Sequence, residues 1–248
     1  MSNKLANKVA IVTGGSQGIG AGVVRKLAEQ GAHVVFSYNS NKEAAEKIVS
    51  ETSVLNSKVI AVKADVTKPE DLETLFNKAV EEFDKIDILV NNAGVFTFLP
   101  IEATTLDEMN RMFSTNVFAP VFAIKSALKH FNEGGSIINI GSIVATMAPP
   151  NSVGYTASKA AVDGITKVLS KELAPRKIRV NQVNPGTIRT EGGQKAGLTE
   201  EVEKGIVATI PLGRIGFPED IANITAFLAS DDAQWITGEI IMVSGGGR

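Results

Sequence analysis

The stretch Val9-Ala10-Ile11-Val12-Thr13-Gly14-Gly15-Ser16-Gln17-Gly18-Ile19-Gly20 decides how the rest of the chain is read. Four apolar residues, three of them β-branched, predict a strand buried on both faces. Gly14, Gly18 and Gly20 then predict a tight turn whose backbone can approach a ligand closely. Val23, Val24, Leu27 and Ala28 follow at helical spacing, which predicts a helix over Ile19–Gln30. A helix that starts at such a turn aims its first amides and its positive dipole end at the turn, an arrangement suited to a diphosphate. The spacing is Gly-x-x-x-Gly-x-Gly, distinct from the Gly-x-Gly-x-x-Gly of the best-known dinucleotide loop. It also lacks the Gly-Lys-Ser/Thr ending of a nucleoside triphosphatase loop. A glycine-rich turn that holds no ligand would carry the same residues, so the rest of the chain must discriminate.

The alternation begun there continues. Short apolar runs at His33–Phe36, Val59–Val62, Ile86–Val90, Ser136–Ile140, Ile178–Val183 and Glu239–Val243 predict six more strands. Helical spacing marks Lys42–Glu51, Glu70–Phe83, Leu106–His130, Tyr155–Leu173 and Pro218–Leu228. Thr67 with Glu70, and Thr105 with Glu108, fit Ser/Thr-x-x-Glu capping boxes. Strands alternating with helices throughout predict a doubly wound parallel α/β sheet of Rossmann type in a single domain over residues 1–248. Asn184–Phe217 interrupts the alternation, with one short helical piece around Glu200–Ala208, and reads as a substrate lid.

Composition excludes other classes. The 248 residues include no Cys, which removes disulfides, thiolate metal sites and a cysteine nucleophile. Lys+Arg number 25 against 27 Asp+Glu, a net charge of −2 with no dense basic tract, so nucleic acid is not an expected partner. No run approaches about 18 apolar residues, so no membrane partner is expected. Met1–Leu5 shows no apolar core after a basic start, and the expected location is cytoplasmic. The two histidines, His33 and His130, open a strand and close a helix. Neither has a second ligand nearby, so no metal site is expected. Their scarcity, with no Gly-x-Ser-x-Gly, also argues against a Ser-His-Asp hydrolase. Trp235, the only Trp, reads as a core or subunit-packing residue.

Two further segments carry chemistry. At the end of the second strand an acid would accept bonds from ribose hydroxyls and repel a 2′-phosphate. Here Ser37-Tyr38-Asn39-Ser40-Asn41-Lys42 offers hydroxyls, amides and one cation, and no acid before Glu43. That predicts NADP(H) as the preferred cofactor, with NAD(H) possible. A polar turn with a helix cap at Asn41 and Lys42 would read similarly. Tyr155, one of only two tyrosines, lies four residues before Lys159, on the same face of a predicted helix. A phenol of pKa about 10 needs help to exchange a proton near neutrality. A neighbouring ammonium, with a nicotinamide cation, lowers that pKa and makes the phenol a general acid/base for a carbonyl or carbinol oxygen.

Taken together these motifs resemble the short-chain dehydrogenase/reductase family, in its shorter single-domain branch, over essentially the whole chain. Thr13-Gly14-x-x-x-Gly18-x-Gly20 is similar to its nucleotide loop, and Asn91-Asn92-Ala93-Gly94 to its motif after strand four. Asn184-Pro185-Gly186-Thr187-Ile188-Arg189-Thr190 is similar to its nicotinamide loop, and Ile236-Thr237-Gly238-Glu239 with Ser244-Gly245-Gly246 to its ending. The resemblance implies a catalytic tetrad of Asn116, Ser142, Tyr155 and Lys159. Ser142 would bond the substrate oxygen and Tyr155 exchange its proton. Lys159 would hold the nicotinamide ribose and lower the Tyr155 pKa, and Asn116 would anchor a proton-relaying water. Cofactor contacts are implied at Gly14, Ser16, Gln17, Gly18, Ile19 and Gly20, and at Tyr38, Asn39 and Ser40. Asp65 and Val66 would contact adenine. Asn92, Ala93 and Gly94 would line the adenosine ribose, and Pro185, Gly186, Ile188 and Thr190 the nicotinamide.

The resemblance further implies a small-molecule carbonyl or alcohol substrate, hydride transfer to or from NADP(H), and a homotetramer. Phe96, Phe98, Ile143, Met147, Pro149, Pro150 and Leu198 would line an apolar cleft. Gln17 stands where many NADP-preferring relatives carry a basic residue, and Ser244 where many have Asp. A 3-oxoacyl-carrier-protein reductase would share every motif, with Lys125, Lys129 and Lys171 as a docking face. A sugar 1-dehydrogenase is a second alternative, and a non-catalytic cofactor-binding regulator a third.

Overall fold

The computed structural model describes residues 3–195 and 197–247. Its centre is a seven-stranded parallel sheet in the order β3-β2-β1-β4-β5-β6-β7. The strands are β1 Val9–Val12, β2 His33–Tyr38, β3 Val59–Lys63, β4 Ile86–Asn91, β5 Phe131–Ile140, β6 Ile178–Pro185 and β7 Ile240–Val243. The helices are α1 Gly18–Glu29, α2 Lys42–Thr52, α3 Pro69–Phe83, α4 Leu106–Phe113, α5 Ala119–Ala127, α6 Val144–Met147, α7 Val153–Glu172, α8 Glu191–Lys195, α9 Glu200–Val207 and α10 Pro218–Ala229. This is the doubly wound Rossmann-type fold in one domain.

Two apolar layers sandwich the sheet. Val23, Val24 and Leu27 of α1 and Ile221 and Leu228 of α10 close one face, with Ala45 and Ile48 of α2. Leu72, Leu75 and Phe76 of α3 and Ala123 and Ile124 of α5 close the other. Each large side chain buried in this way contributes about 1.5–3 kcal/mol. Strand order reverses between β1 and β4, and the crevice at the carboxyl ends of these strands is where such sheets bind ligands.

Several local expectations are corrected. Leu106–His130 is not one helix. It breaks into α4, a π turn over Ser114–Phe118 and α5, and His130 lies in the turn beyond. Pro120 is the reason: it has no N–H to give the carbonyl of Asn116, four residues back. The Thr67–Glu70 capping box is absent. Pro69 opens α3 with Lys68 before it, while the Thr67 hydroxyl donates to Asp65 Oδ1 at 2.7 Å. Thr105 does cap α4, accepting from Glu108 N at 3.2 Å, but the Glu108 carboxylate turns to Arg111. β5 starts at Phe131, five residues early, because Gly134 and Gly135 at φ 86° and 152° let the chain shift register and stay paired. Trp235 is 97% exposed and so is no core residue.

Candidate active site

The nucleotide loop begins with a hydrogen-bonded frame. Thr13 Oγ1 accepts from Asn92 N at 3.0 Å and Ala93 N at 3.1 Å, and Asn92 Nδ2 donates to the carbonyls of Thr13 and Gly14 at 2.9 Å. The motif after β4 therefore holds the turn after β1. Gly14 sits at φ 65°, and a Cβ on Gly20 would lie 2.2 Å from the Gly14 carbonyl, so neither position admits a side chain. Gln17 gives α1 no side-chain cap and the helix has no acid in its first turn. Glu191 of α8 instead accepts from Gly18 N at 3.1 Å, a contact between distant segments that sequence reasoning missed.

Beside this turn lies a cavity of about 480 Å³ lined by Gly14, Ser16 and Gln17, by Tyr38, Asn39 and Ser40, by Asp65 and Val66, and by Asn92, Ala93 and Gly94. These residues come from four separate loops and include most of the expected dinucleotide contacts. Size, polarity and the glycine cradle fit the adenosine half of a dinucleotide. Partial burial works against the charge of Asp65, but the Thr67 hydroxyl and amide outweigh it and hold the carboxyl below its ordinary value. Asn41 is a helix cap, accepting from Ala44 N at 3.0 Å. Lys42 pairs with Glu46 at 3.3 Å and does not line the cavity, so the cation expected to favour a 2′-phosphate points elsewhere.

Asn116, Ser142, Tyr155 and Lys159 converge from the π turn, the β5 end and α7. The Ser142 hydroxyl lies toward the Tyr155 phenol and favours its ionised form, while Ser142 Oγ accepts from Val144 N at 3.3 Å. Lys159 is 5% exposed; its Nζ donates to the Ile140 carbonyl at 2.8 Å and lies 6.0 Å from the Tyr155 ring centre. A Cβ on Gly94, which lines the adenosine cavity, would lie 3.6 Å from that nitrogen and 3.3 Å from Asn116 Oδ1. Asn116 is fully engaged: Oδ1 accepts from Val95 N at 2.8 Å, while Nδ2 donates to the Val95 carbonyl at 2.8 Å and to Ser158 Oγ at 3.0 Å. Pro120, four residues on, has no N–H to offer the Asn116 carbonyl.

Electrostatics differ from expectation at one point. Burial pushes the Tyr155 phenol above its ordinary value, and the Ser142 hydroxyl only partly offsets this. Lys159 is itself pushed down to about 8 by burial, with Asp163 opposing. The chain alone thus keeps the proton on Tyr155, the form a reductase needs.

A family model described as enoyl-(acyl carrier protein) reductase matches residues 14–247. An uncharacterized oxidoreductase of Methylorubrum extorquens is 49% identical over 99% of this chain and all of its own. A hydroxynaphthalene reductase-like protein of Metarhizium brunneum is 39% identical over 98% of this chain and 95% of its own. The crystal structure of a short chain dehydrogenase from Burkholderia cenocepacia in complex with NADP superposes with a TM-score of 0.92 at 35% identity, covering 98% and 99% of the two chains.

The chain belongs to the short-chain dehydrogenase/reductase family. It is accordingly an NAD(P)-dependent oxidoreductase. In this short-chain dehydrogenase/reductase the remaining expected residues fall on the same crevice. Pro185 ends β6; Gly186 N donates to the Val243 carbonyl at 2.9 Å, and a Cβ at 186 would strike Ser244 at 2.8 Å. Ile188 bridges to Gly216, and Thr190 Oγ1 accepts from Gly193 N at 3.0 Å. A Cβ on Gly18 would meet Thr190 at 3.1 Å, so the nicotinamide-side loop abuts the start of α1 and of Ile19. Around the phenol stand Phe96 and Phe98, with ring centres 5.7 and 6.0 Å from that of Tyr155 and 6.1 Å from each other.

Proposed function

We propose that this protein is an NADP(H)-preferring carbonyl reductase acting on ketones or aldehydes, and on secondary alcohols in reverse. The buried Lys159, held by the Ile140 carbonyl with its Nζ 6.0 Å from the Tyr155 ring centre, carries the reading. When bound, the nicotinamide supplies or takes the hydride. Ser142 donates to the substrate oxygen and orients it. Tyr155 delivers the phenolic proton to that oxygen as negative charge develops, and the Lys159 ammonium stabilises the phenolate left behind. A water on the Asn116 carbonyl returns a proton through Lys159. Dinucleotide contacts are assigned to Gly14, Ser16, Gln17, Gly18, Ile19 and Gly20, to Tyr38, Asn39 and Ser40, to Asp65, Val66, Asn92, Ala93 and Gly94, to Tyr155 and Lys159, and to Pro185, Gly186, Ile188 and Thr190. Support for NADP(H) is the acid-free Tyr38–Asn41 wall of the cavity and the NADP held by the Burkholderia relative.

Phe98, half exposed, and Phe96 pack edge-on and tilted around the Tyr155 ring, an apolar surround that favours a flat apolar ketone. The name of the Metarhizium relative points the same way. α8 and α9, in the 184–217 segment, would cover this substrate. The test is decay of reduced-nicotinamide absorbance with a panel of aryl ketones, aliphatic ketones and a 3-oxoacyl thioester. Aryl ketones are expected to turn over fastest with NADPH. Turnover of the thioester alone would replace this reading by a carrier-protein reductase docking through Lys125, Lys129 and Lys171.

The same reading includes a cytoplasmic homotetramer. Phe118, Val121 and Phe122, on the π turn and α5, are each more than a third exposed, as is Val168 of α7. Such an apolar face marks an interface. Trp235, with Phe227 and Met242, supplies a second exposed apolar set near β7. Phe122→Glu is expected to reduce the mass measured by light scattering from four chains to two. An unchanged mass would place the interface elsewhere.

A further inference from the structure

A chain of buried polar side chains crosses the sheet and ends beside Lys159. Asn91 Nδ2 of β4 donates to Asn139 Oδ1 of β5 at 2.9 Å, and Asn139 Nδ2 donates to Thr166 Oγ1 of α7 at 2.9 Å. Thr166 Oγ1 donates to Gln182 Oε1 of β6 at 2.8 Å. Gln182 Nε2 then spends both its protons, on Asp163 Oδ1 of α7 at 2.5 Å and on Asn184 Oδ1 at 2.7 Å. Asp163 lies one helical turn beyond Lys159, on the same face. Gln182 and Asn184 are wholly buried, and room for them is made by Gly141: a Cβ there would lie 2.0 Å from Asn184 Oδ1 and 2.3 Å from Gln182 Nε2.

This arrangement has a charge at one end only. Among the described residues, the groups facing Lys159 are Tyr155 and Asp163 on its own helix, the Ile140 carbonyl on β5, and the neutral Asn116 and Gly94. Asp163 is the only anion in that set. A carboxylate on an exposed helix turn swings toward water. This one is tied by an amide that is itself pinned from three sides, which holds it on the Lys159 face of α7.

We propose that Asp163, held in place by Gln182, is a positioning residue that keeps Lys159 protonated for the proton-transfer step. The proposal rests on the assignment of Lys159 as the partner of Tyr155. Burial alone drives the ammonium toward the neutral amine, and Asp163 opposes it. Neutralising Asp163 therefore lowers the pH at which Lys159 loses its proton. Carbonyl reduction needs the ammonium, so its basic limb moves to lower pH as well.

The experiment uses the full chain with 13C-labelled lysine, the Lys159 Cε resonance being assigned by its loss in Lys159→Met. Asp163→Asn removes the charge but keeps an oxygen for Gln182. Gln182→Met keeps the charge and removes the tether. In both, the Lys159 titration midpoint is expected to fall, by about one pH unit for Asp163→Asn. The basic limb of kcat/KM with NADPH and the ketone identified by the panel should fall with it, while KM for NADPH stays near wild type. Midpoints equal to wild type in both variants, with only a lower Tm, would make the network purely structural and overturn the proposal. If no carbonyl is reduced by any form but the midpoint still falls, the carbonyl reductase reading fails and the coupling of Asp163 to Lys159 stands.

Discussion

Tyr155→Phe should lower kcat for carbonyl reduction by about a thousandfold, the usual worth of a positioned general acid. The substitution removes one oxygen and leaves the ring, and with it the contacts to Phe96 and Phe98. Lys159 keeps its bond to the Ile140 carbonyl, so the dinucleotide side of the crevice is unaltered. NADPH affinity, followed by nucleotide fluorescence, should therefore match wild type. The residual rate reflects hydride transfer to an oxygen held by Ser142 alone. Retention of more than about a tenth of wild-type kcat would show that another group supplies the proton. A regulator that binds cofactor without catalysis would show no carbonyl turnover in either form.

The expected loss is in kcat rather than KM because the phenol acts on charge that exists only in the transition state. Its raised pKa sharpens the point. Burial makes the phenolate costly, so the proton is given up only when the substrate oxygen takes it and Lys159 faces the phenolate. A surface Tyr–Lys pair at the same spacing would have neither the burial nor the Ser142 hydroxyl, and would not be poised in this way.

What the sequence makes legible follows from how local each signal is. The β1 turn, the Tyr155–Lys159 pair and the alternation of strands with helices are set by residues within a few positions of each other, and the structure has them where expected. The lost capping box at Thr67 was misread because Asp65, two residues earlier, competes for the same hydroxyl, while Pro69 already suits the first helical position. The broken helix at Asn116 had a visible signal, Pro120, hidden by apolar periodicity on both sides. Three features have no local signal at all. Glu191 reaches Gly18 across 173 positions, Gln182 reaches Asp163 across 19, and Trp235 lies outside the chain's own core. Such contacts depend on strand order, which only the fold supplies.

Tyr38→Asp should reverse the cofactor preference. Tyr38 ends β2 and lines the cavity that fits adenosine, with Asn39 and Ser40 beside it and no acid but Asp65 among its lining residues. The cation expected to welcome a 2′-phosphate, Lys42, is engaged with Glu46, so NADP(H) is accepted through neutral donors and the absence of repulsion. That makes the preference vulnerable to one charge. An aspartate at 38 would face the 2′-phosphate at close range, and like charges so placed cost several kcal/mol. A loss of about a hundredfold in kcat/KM for NADPH, roughly 2.8 kcal/mol, is the expected size. The same carboxylate would accept bonds from both ribose hydroxyls of NADH, raising kcat/KM for NADH by about tenfold. Stopped-flow or steady-state rates with the two nucleotides check this directly. Equal losses with both would mean that Tyr38 packs against the adenine rather than facing the ribose. In that case discrimination would fall to the other polar side chains lining the cavity, Ser16, Gln17, Asn39 and Ser40.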